Sequence, residues 1–301
     1  MLAAIPFPDI GPNLFAIQIG NFELALRWYA LGYIVGILFA RWLILRLIRR
    51  PMLWPDNQTA ITQEQLENLV TWMILGIILG GRLGFVLFYQ PAYYAANPLE
   101  VLKVWLGGMS FHGGFLGVVV AGLLFCKKYH ISIPRLADVI AVSAPMGLGL
   151  VRVANFVNAE LWGRETTVPW GVIFPKPDNP NAPDPQACID AISGMCARHP
   201  SQLYEAIGEG LILGLLLAYL AFRTGALKRT GLLLGIFVAG YGVTRFLVEL
   251  VRQPDADFQS PSNPIGFAIQ FSLNTGLTMG QILSIPMILF GLWSIYRARR
   301  R

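Results

Sequence analysis

Polar residues in this chain interrupt long apolar runs. A hydrocarbon core about 30 Å thick needs about 20 apolar residues per helix. Seven stretches reach or approach that length: Phe22–Arg46, Leu66–Tyr89, Phe111–Cys126, Pro134–Ala154, Ser201–Phe222, Thr230–Val251 and Gly280–Tyr296. The third is short and opens with glycines. The pattern predicts an all-α membrane protein of seven transmembrane helices. Residues 1–301 form a single polytopic domain, because no hydrophilic stretch is long enough for a second.

The connections divide into two sets. One carries Arg46, Arg49, Arg50, Lys127, Lys128, Arg135, Arg223, Lys228, Arg229, Arg297, Arg299, Arg300 and Arg301; the other carries few basic residues along longer loops. The positive-inside rule then places the C-terminus in the cytoplasm and, with seven spans, the N-terminus outside. The largest outer segment, residues 158–200, holds the β-prone run "TTVPWGVIFP" and reads as a small periplasmic cap between helices 4 and 5. The N-terminus lacks the pattern of a cleavable signal peptide.

Composition agrees with this reading. Charged residues make up 13% of the chain and hydrophobic ones 55%, against roughly 25% charged in soluble domains. The net charge of +6 sits in clusters between spans, so it sets orientation and gives no case for nucleic acid. Three cysteines and three histidines form no zinc pattern.

Ionisable groups inside spans are functional suspects. Arg27 and Arg41 lie near the ends of the first helix, where they can snorkel. Arg82 in "GGRLGF", Arg152 in "LVRVANFVNAELWGRE" and Arg245 in "GYGVTRFLVEL" lie deeper. Counted from the cytoplasmic ends of their helices, all three fall roughly 22–27 Å from the inner surface. Guanidinium groups bind phosphate through several donors at once, so the shared depth suggests an anionic headgroup from the outer leaflet. Arg82 either joins that cavity or only snorkels to the headgroups. Tyr241, Arg245, Glu249 and Arg252 form one helical stripe, and Arg152 shares a face with Asn155. His112, in "GGMSFHGGFLG", and Tyr29 approach the same level from the outer side. His112 suits a general base near neutral pH.

The segments "LRWYALGY", "GGRLGFVLFY", "GGMSFHGGFLG", "RVANFVNAELWGR", "RHPSQLYEA", "GYGVTRFLVELVRQPD" and "MGQILSIPM" together resemble the prolipoprotein diacylglyceryl transferases, in family order and over nearly the whole chain. Val151, Ala154 and Ala159 stand where the family signature usually has glycine. The resemblance implies a multi-pass enzyme of the bacterial cytoplasmic (inner) membrane, working among membrane lipids. Such an enzyme moves the sn-1,2-diacylglyceryl group of phosphatidylglycerol to the lipobox cysteine of prolipoprotein signal peptides. The products are a thioether and glycerol 1-phosphate, in the first step of lipoprotein maturation. It implies catalytic roles for His112 and Arg245. Substrate-binding roles fall on Arg152, Asn155, Tyr29, Glu160, Gly163, Tyr241 and Glu249, with no metal and no cofactor.

The residues suit that chemistry. A thiol must lose its proton to attack well, and His112 is the candidate base. A departing phosphate monoester needs fixed cations, which Arg152 and Arg245 supply. Asn155 is expected to orient Arg152 or a glycerol hydroxyl, Glu249 to fix Arg245, and Glu160 to fix Arg164. Arg152 and Arg245 should approach one cavity, lined also by His112 and Tyr29 and open sideways to lipid. The alternative is an organic-anion transporter, which would need a polar path to the cytoplasm that the inner halves of these helices do not offer.

Cys188 and Cys196, in "CIDAISGMC", fall on the oxidising side of this topology, where disulfides persist. They are expected to form a non-catalytic disulfide. Thiol labelling without reductant should modify neither, and replacing both by serine should leave turnover unchanged.

Overall fold

The computed structural model describes residues 4–19, 22–175, 197–254, 258–272 and 274–300. Cys188 and Cys196, with most of the second half of the expected cap, lie outside them. Seven long helices dominate: α1 Trp28–Ile48, α2 Gln63–Phe88, α3 Phe111–Tyr129, α4 Ile133–Val157, α5 Ser201–Arg223, α6 Leu232–Val248 and α7 Met279–Arg299. All but α6 are long and apolar enough to cross a membrane, and α6 is a shorter apolar helix. This is a multi-pass membrane protein. Its outward faces carry exposed leucines such as Leu38, Leu79, Leu215 and Leu289.

The first expected span begins too early. Phe22–Arg27 is a strand, β3, paired antiparallel with β2 (Asn13–Ile19), and the helix starts only at Trp28. Alternation within "FELALR" suits a strand as well as a helix end, and the hairpin resolves the ambiguity. Tyr29 therefore lies in the first turn of α1. The first strand, β1 (Ile5–Pro6), runs parallel to β4 (Val172–Ile173), which is the β-prone run of the cap. A further hairpin, β5 (Ile269–Ser272) with β6 (Thr275–Leu277), precedes α7.

Small residues set the helix crossings. Gly76, Gly80 and Gly84 of α2 face Gly113 and Gly117 of α3 so closely that a Cβ on Gly80 would lie 2.4 Å from the Gly113 carbonyl oxygen. Between apolar helices in lipid, contact of this kind supplies the attraction that hydrophobic burial cannot. α1 meets α4 at Gly36 and Gly147, α4 meets α5 at Gly149 and Gly210, and α6 meets α7 at Gly235 and Gly291. α4 is the most buried of the six longest helices and touches α1, α3, α5 and α6.

The two ends of the bundle differ. At one end α1, α3, α5 and α7 finish on Arg46, Lys127, Lys128, Arg223 and Arg297. This basic end is filled by Leu47, Trp54, Phe125, Val139, Leu217 and Leu233, all fully buried. Its buried polar groups Asp138 and Ser294 are internally satisfied. Asp138 of α4 accepts from the Gly231 and Leu234 amides at 2.6 and 2.8 Å, capping α6 from outside the helix. Ser294 of α7 donates to the Gly231 carbonyl at 2.8 Å. Arg41 and Glu67 clasp α1 to α2 at 2.5 Å. The polar residues singled out by the sequence gather at the opposite end.

The α2–α3 crossing has a direct test. A Cβ on Gly117 would lie 2.0 Å from the Gly76 carbonyl oxygen, whereas one on Gly122 would meet only the flexible end of Met73 at 3.6 Å. In detergent, Gly117→Ala should lower unfolding stability by about 1–3 kcal/mol, as overpacked cores do, and Gly122→Ala should not change it.

Candidate active site

Arg152 lies one turn beyond Gly149, which packs against Gly210 of α5. That proximity sets its guanidinium against two carboxylates of α5. Arg152 Nε is 3.1 Å from Glu205 Oε2 and 3.7 Å from Glu209 Oε2. From α6, Arg245 Nη1 reaches Glu205 Oε1 at 2.9 Å, and Arg245 Nη2 reaches Glu249 Oε2 at 2.8 Å. Arg252, just past α6, adds a third contact to Glu205 Oε1 at 3.2 Å. Glu205 and Glu209 are both fully buried. Tyr241 stands beside Arg152. One carboxylate thus gathers three guanidiniums from two helices and the segment after the second.

α5 changes pitch at this point. Ala206–Ile212 is a π-helical segment between two α-helical ones, a feature that recurs at functional sites. Gly210 faces Gly149 of α4, and Gly208 sits against Thr244 of α6, where a Cβ would be 2.4 Å from Thr244 Cγ2. Glu209 lies between these two approaches, with Glu205 one turn before it. The sequence reading missed both glutamates. Their signal was available in "YEAIGEG", two carboxylates inside an apolar span.

A second group adjoins the first. Asn155, 4% exposed, donates from Nδ2 to Glu160 Oε1 at 2.9 Å. The Tyr29 hydroxyl hydrogen-bonds both Glu160 and Asn155. Gln202 of α5 donates to the Glu160 carbonyl. One expectation is narrowed and one corrected here. Asn155 engages Tyr29 and Glu160 and makes no described bond to Arg152. The Glu160 side chain turns back toward α4 and α1, while Arg164 Nη2 donates to the Ile265 carbonyl at 3.1 Å. The cause is the tight turn after α4, in which Ala159 and Leu161 adopt left-handed φ values of 52° and 56°.

That turn stitches three helix ends together. The Gly163 amide donates to the His199 carbonyl at 2.8 Å, and the Arg164 amide to the Val251 carbonyl at 2.7 Å. A Cβ on Gly163 would lie 2.5 Å from the Val251 carbonyl oxygen and 2.6 Å from His199 Cβ. Burial lowers the pKa of Arg164, opposed by the nearby Glu249 carboxylate. Burial also lowers that of His199, whose Nδ1 lies 3.1 Å from the Tyr204 hydroxyl. Arg164 and Glu249 share a cavity of about 490 Å³ with Thr278 and Gln281 at the start of α7.

Arg82 belongs elsewhere. It is 5% exposed and neither snorkels nor joins the other arginines. It donates to the carbonyls of Glu100, Val101 and Gly107 at 2.6, 2.8 and 2.7 Å, pinning the loop that leads into α3. His112, in the first turn of α3, lines a groove of about 560 Å³ between α2 and α3, together with Leu79, Leu83, Leu87 and Leu116. That groove contains no arginine, so the described contacts do not bring His112 into the arginine cluster. The glycine-packed α2–α3 pair carries it. Among the described residues no group of three His, Cys, Asp or Glu side chains is placed to hold a metal ion.

The family model for prolipoprotein diacylglyceryl transferase matches residues 14–297. The chain belongs to that family. It is 58% identical over 299 residues to the phosphatidylglycerol–prolipoprotein diacylglyceryl transferase of Cereibacter sphaeroides, covering 99% of each chain. The same coverage holds at 56% identity for the transferase of that name from Ruegeria pomeroyi. The Brucella canis transferase is 45% identical, over 99% of this chain and 95% of its own.

Two substitutions in the turn should act in opposite directions. Gly163→Ala forces the turn away from Val251 and should cost about 1–3 kcal/mol together with most of the activity. Ala159→Gly relieves a left-handed alanine and should gain about 0.5–1 kcal/mol. Thermal unfolding in detergent, run alongside turnover, reads both.

Proposed function

We propose that this chain transfers the diacylglyceryl group of phosphatidylglycerol to the lipobox cysteine thiol of prolipoproteins, forming a thioether and releasing glycerol 1-phosphate. The observation that carries the reading is the meeting of Arg152, Arg245 and Arg252 on one buried carboxylate, Glu205. Guanidiniums held at fixed separation in a low-dielectric site stabilise a departing phosphate with little reorganisation. Arg152 and Arg245 take the phosphate, and Glu249 holds Arg245 in place. Tyr29, Asn155 and Glu160 present hydroxyl, amide and carboxylate groups to the glycerol head.

His112 takes the thiol proton. It stands at the same end of the bundle as Tyr29, each being the second residue of its helix. The apolar groove below it offers a lateral path for an acyl chain or a signal-peptide core. The transfer then joins two membrane-borne substrates at the mouth of the bundle. Water need deliver neither of them.

The basic end faces the cytoplasm, so the site opens toward the periplasm and the membrane is the bacterial inner one. All seven long helices span it. α6 has 17 residues, within the usual range for a spanning helix. It also runs the length of the bundle, from the Asp138 cap at one end to Glu205 at the other. An anion transporter would need a polar route past Leu47, Trp54, Phe125 and Leu217, and that end is closed by apolar packing.

Purified protein incubated with phosphatidylglycerol and a lipobox peptide should add one diacylglyceryl mass to the peptide cysteine; an unmodified peptide would contradict the reading. Arg152→Lys keeps the charge but loses the planar fork, so turnover should fall about a hundredfold. His112→Gln should fall by a similar factor with the fold intact. Near-normal turnover by His112→Gln would remove its role as base.

A further inference from the structure

Among the carboxylates of the cluster, Glu209 is held least. Glu205 shares its oxygens among three arginines, and Glu249 pairs with Arg245 at 2.8 Å. Glu209 is fully buried, and neither of its oxygens accepts a hydrogen bond from any described residue. Its one ion contact is the 3.7 Å approach of Arg152 Nε. The groups facing it are Arg152 from α4, Glu205 on its own helix, Tyr241 and Arg245 from α6, and Arg252 beyond.

With Glu209 ionised, the charges cancel before any lipid arrives. Arg152, Arg245 and Arg252 balance Glu205, Glu209 and Glu249. Adding Arg164, beside Glu249, and Glu160, near Arg152 through Tyr29, leaves four against four. A phosphodiester carries one negative charge and would unbalance a site where excess charge is poorly screened. A carboxylate without hydrogen bonds surrenders its charge most readily.

We propose that Glu209 takes up one proton when the phosphate headgroup binds, and then serves as the acid that protonates the departing phosphate. This rests on the reading of Arg152 and Arg245 as the phosphate site. The carbon–sulfur bond forms as the carbon–oxygen bond of the phosphodiester breaks, and its electron pair stays on the phosphate oxygen. The thiol proton passes to His112, and the Glu209 proton moves to that oxygen. The restored Glu209 carboxylate then repels the phosphate monoester and speeds its exit.

The test is calorimetric titration of phosphatidylglycerol into the protein in nanodiscs of zwitterionic lipid, without peptide, in buffers of different ionisation enthalpy. One proton should be taken up per lipid bound. Affinity should fall by up to about tenfold per pH unit above the point where Glu209 titrates in the free protein. Glu209→Gln should bind the lipid with no proton uptake and a flat pH profile, while turnover falls about a hundredfold. Binding to the wild-type protein without proton uptake overturns the proposal, and that measurement needs no variant. Full turnover by Glu209→Gln also overturns it. So does weakened lipid binding in Glu209→Gln at every pH, which would mark Glu209 as a counter-charge for Arg152 only. No lipid binding at all in the wild-type protein would instead refute the phosphate site itself.

Discussion

Everything at the working end of this protein depends on the Glu205 carboxylate. It has no solvent exposure, and Arg152, Arg245 and Arg252 all converge on it. Withdrawing these charges from water is expensive, and only close geometry recovers the cost. Removing the carboxylate would take the shared partner from three guanidiniums, a loss of the order of 3–5 kcal/mol. The geometry in turn requires helix backbones in near contact. Gly210 against Gly149 and Gly208 against Thr244 bring α4 and α6 to the two sides of the π-helical segment. The glycines are what allow the charges to meet.

The bundle divides its labour by depth. Apolar packing closes the basic end, where Asp138 and Ser294 satisfy the first turn of α6 with no ligand involved. The other end keeps its polar groups in pairs and networks around Glu205 and Glu160. The turn after α4 ties α4, α5 and α6 together through Gly163 and Arg164, so the chemistry stands on a braced rim. α2 and α3 form a separate glycine-packed pair that carries His112 and its lateral groove. On the proposed reading, a base on one unit and a phosphate site on the other suit a reaction whose two substrates arrive through the membrane.

Much of this was legible in the chain because bilayer thickness is a strong constraint. The seven apolar runs became seven long helices, with ends shifted by a few residues except at the first. There Phe22–Arg27 alternates in a way that fits a strand equally well, and only its pairing with β2 decides. Helical depth put Arg152 and Arg245 at one level, and Glu205 joins them. That carboxylate was not foreseen, because a depth count sees arginines and ignores glutamates in a neighbouring span. Arg82 shared the same depth for another reason: it binds carbonyls of the loop before α3. The expected pairing of Glu160 with Arg164 fails because the left-handed residues at 159 and 161 turn Glu160 toward Tyr29 instead.

The central claim is that Arg152 and Arg245 together hold the phosphate of the lipid donor. The most direct measurement is a structure of the protein with phosphatidylglycerol bound in a lipid nanodisc. The account predicts phosphate oxygens at about 2.8 Å from the guanidinium nitrogens of both arginines, with the acyl chains leaving sideways between helices. A phosphate seated in the His112 groove, with both arginines still paired to Glu205 and out of reach, would contradict it.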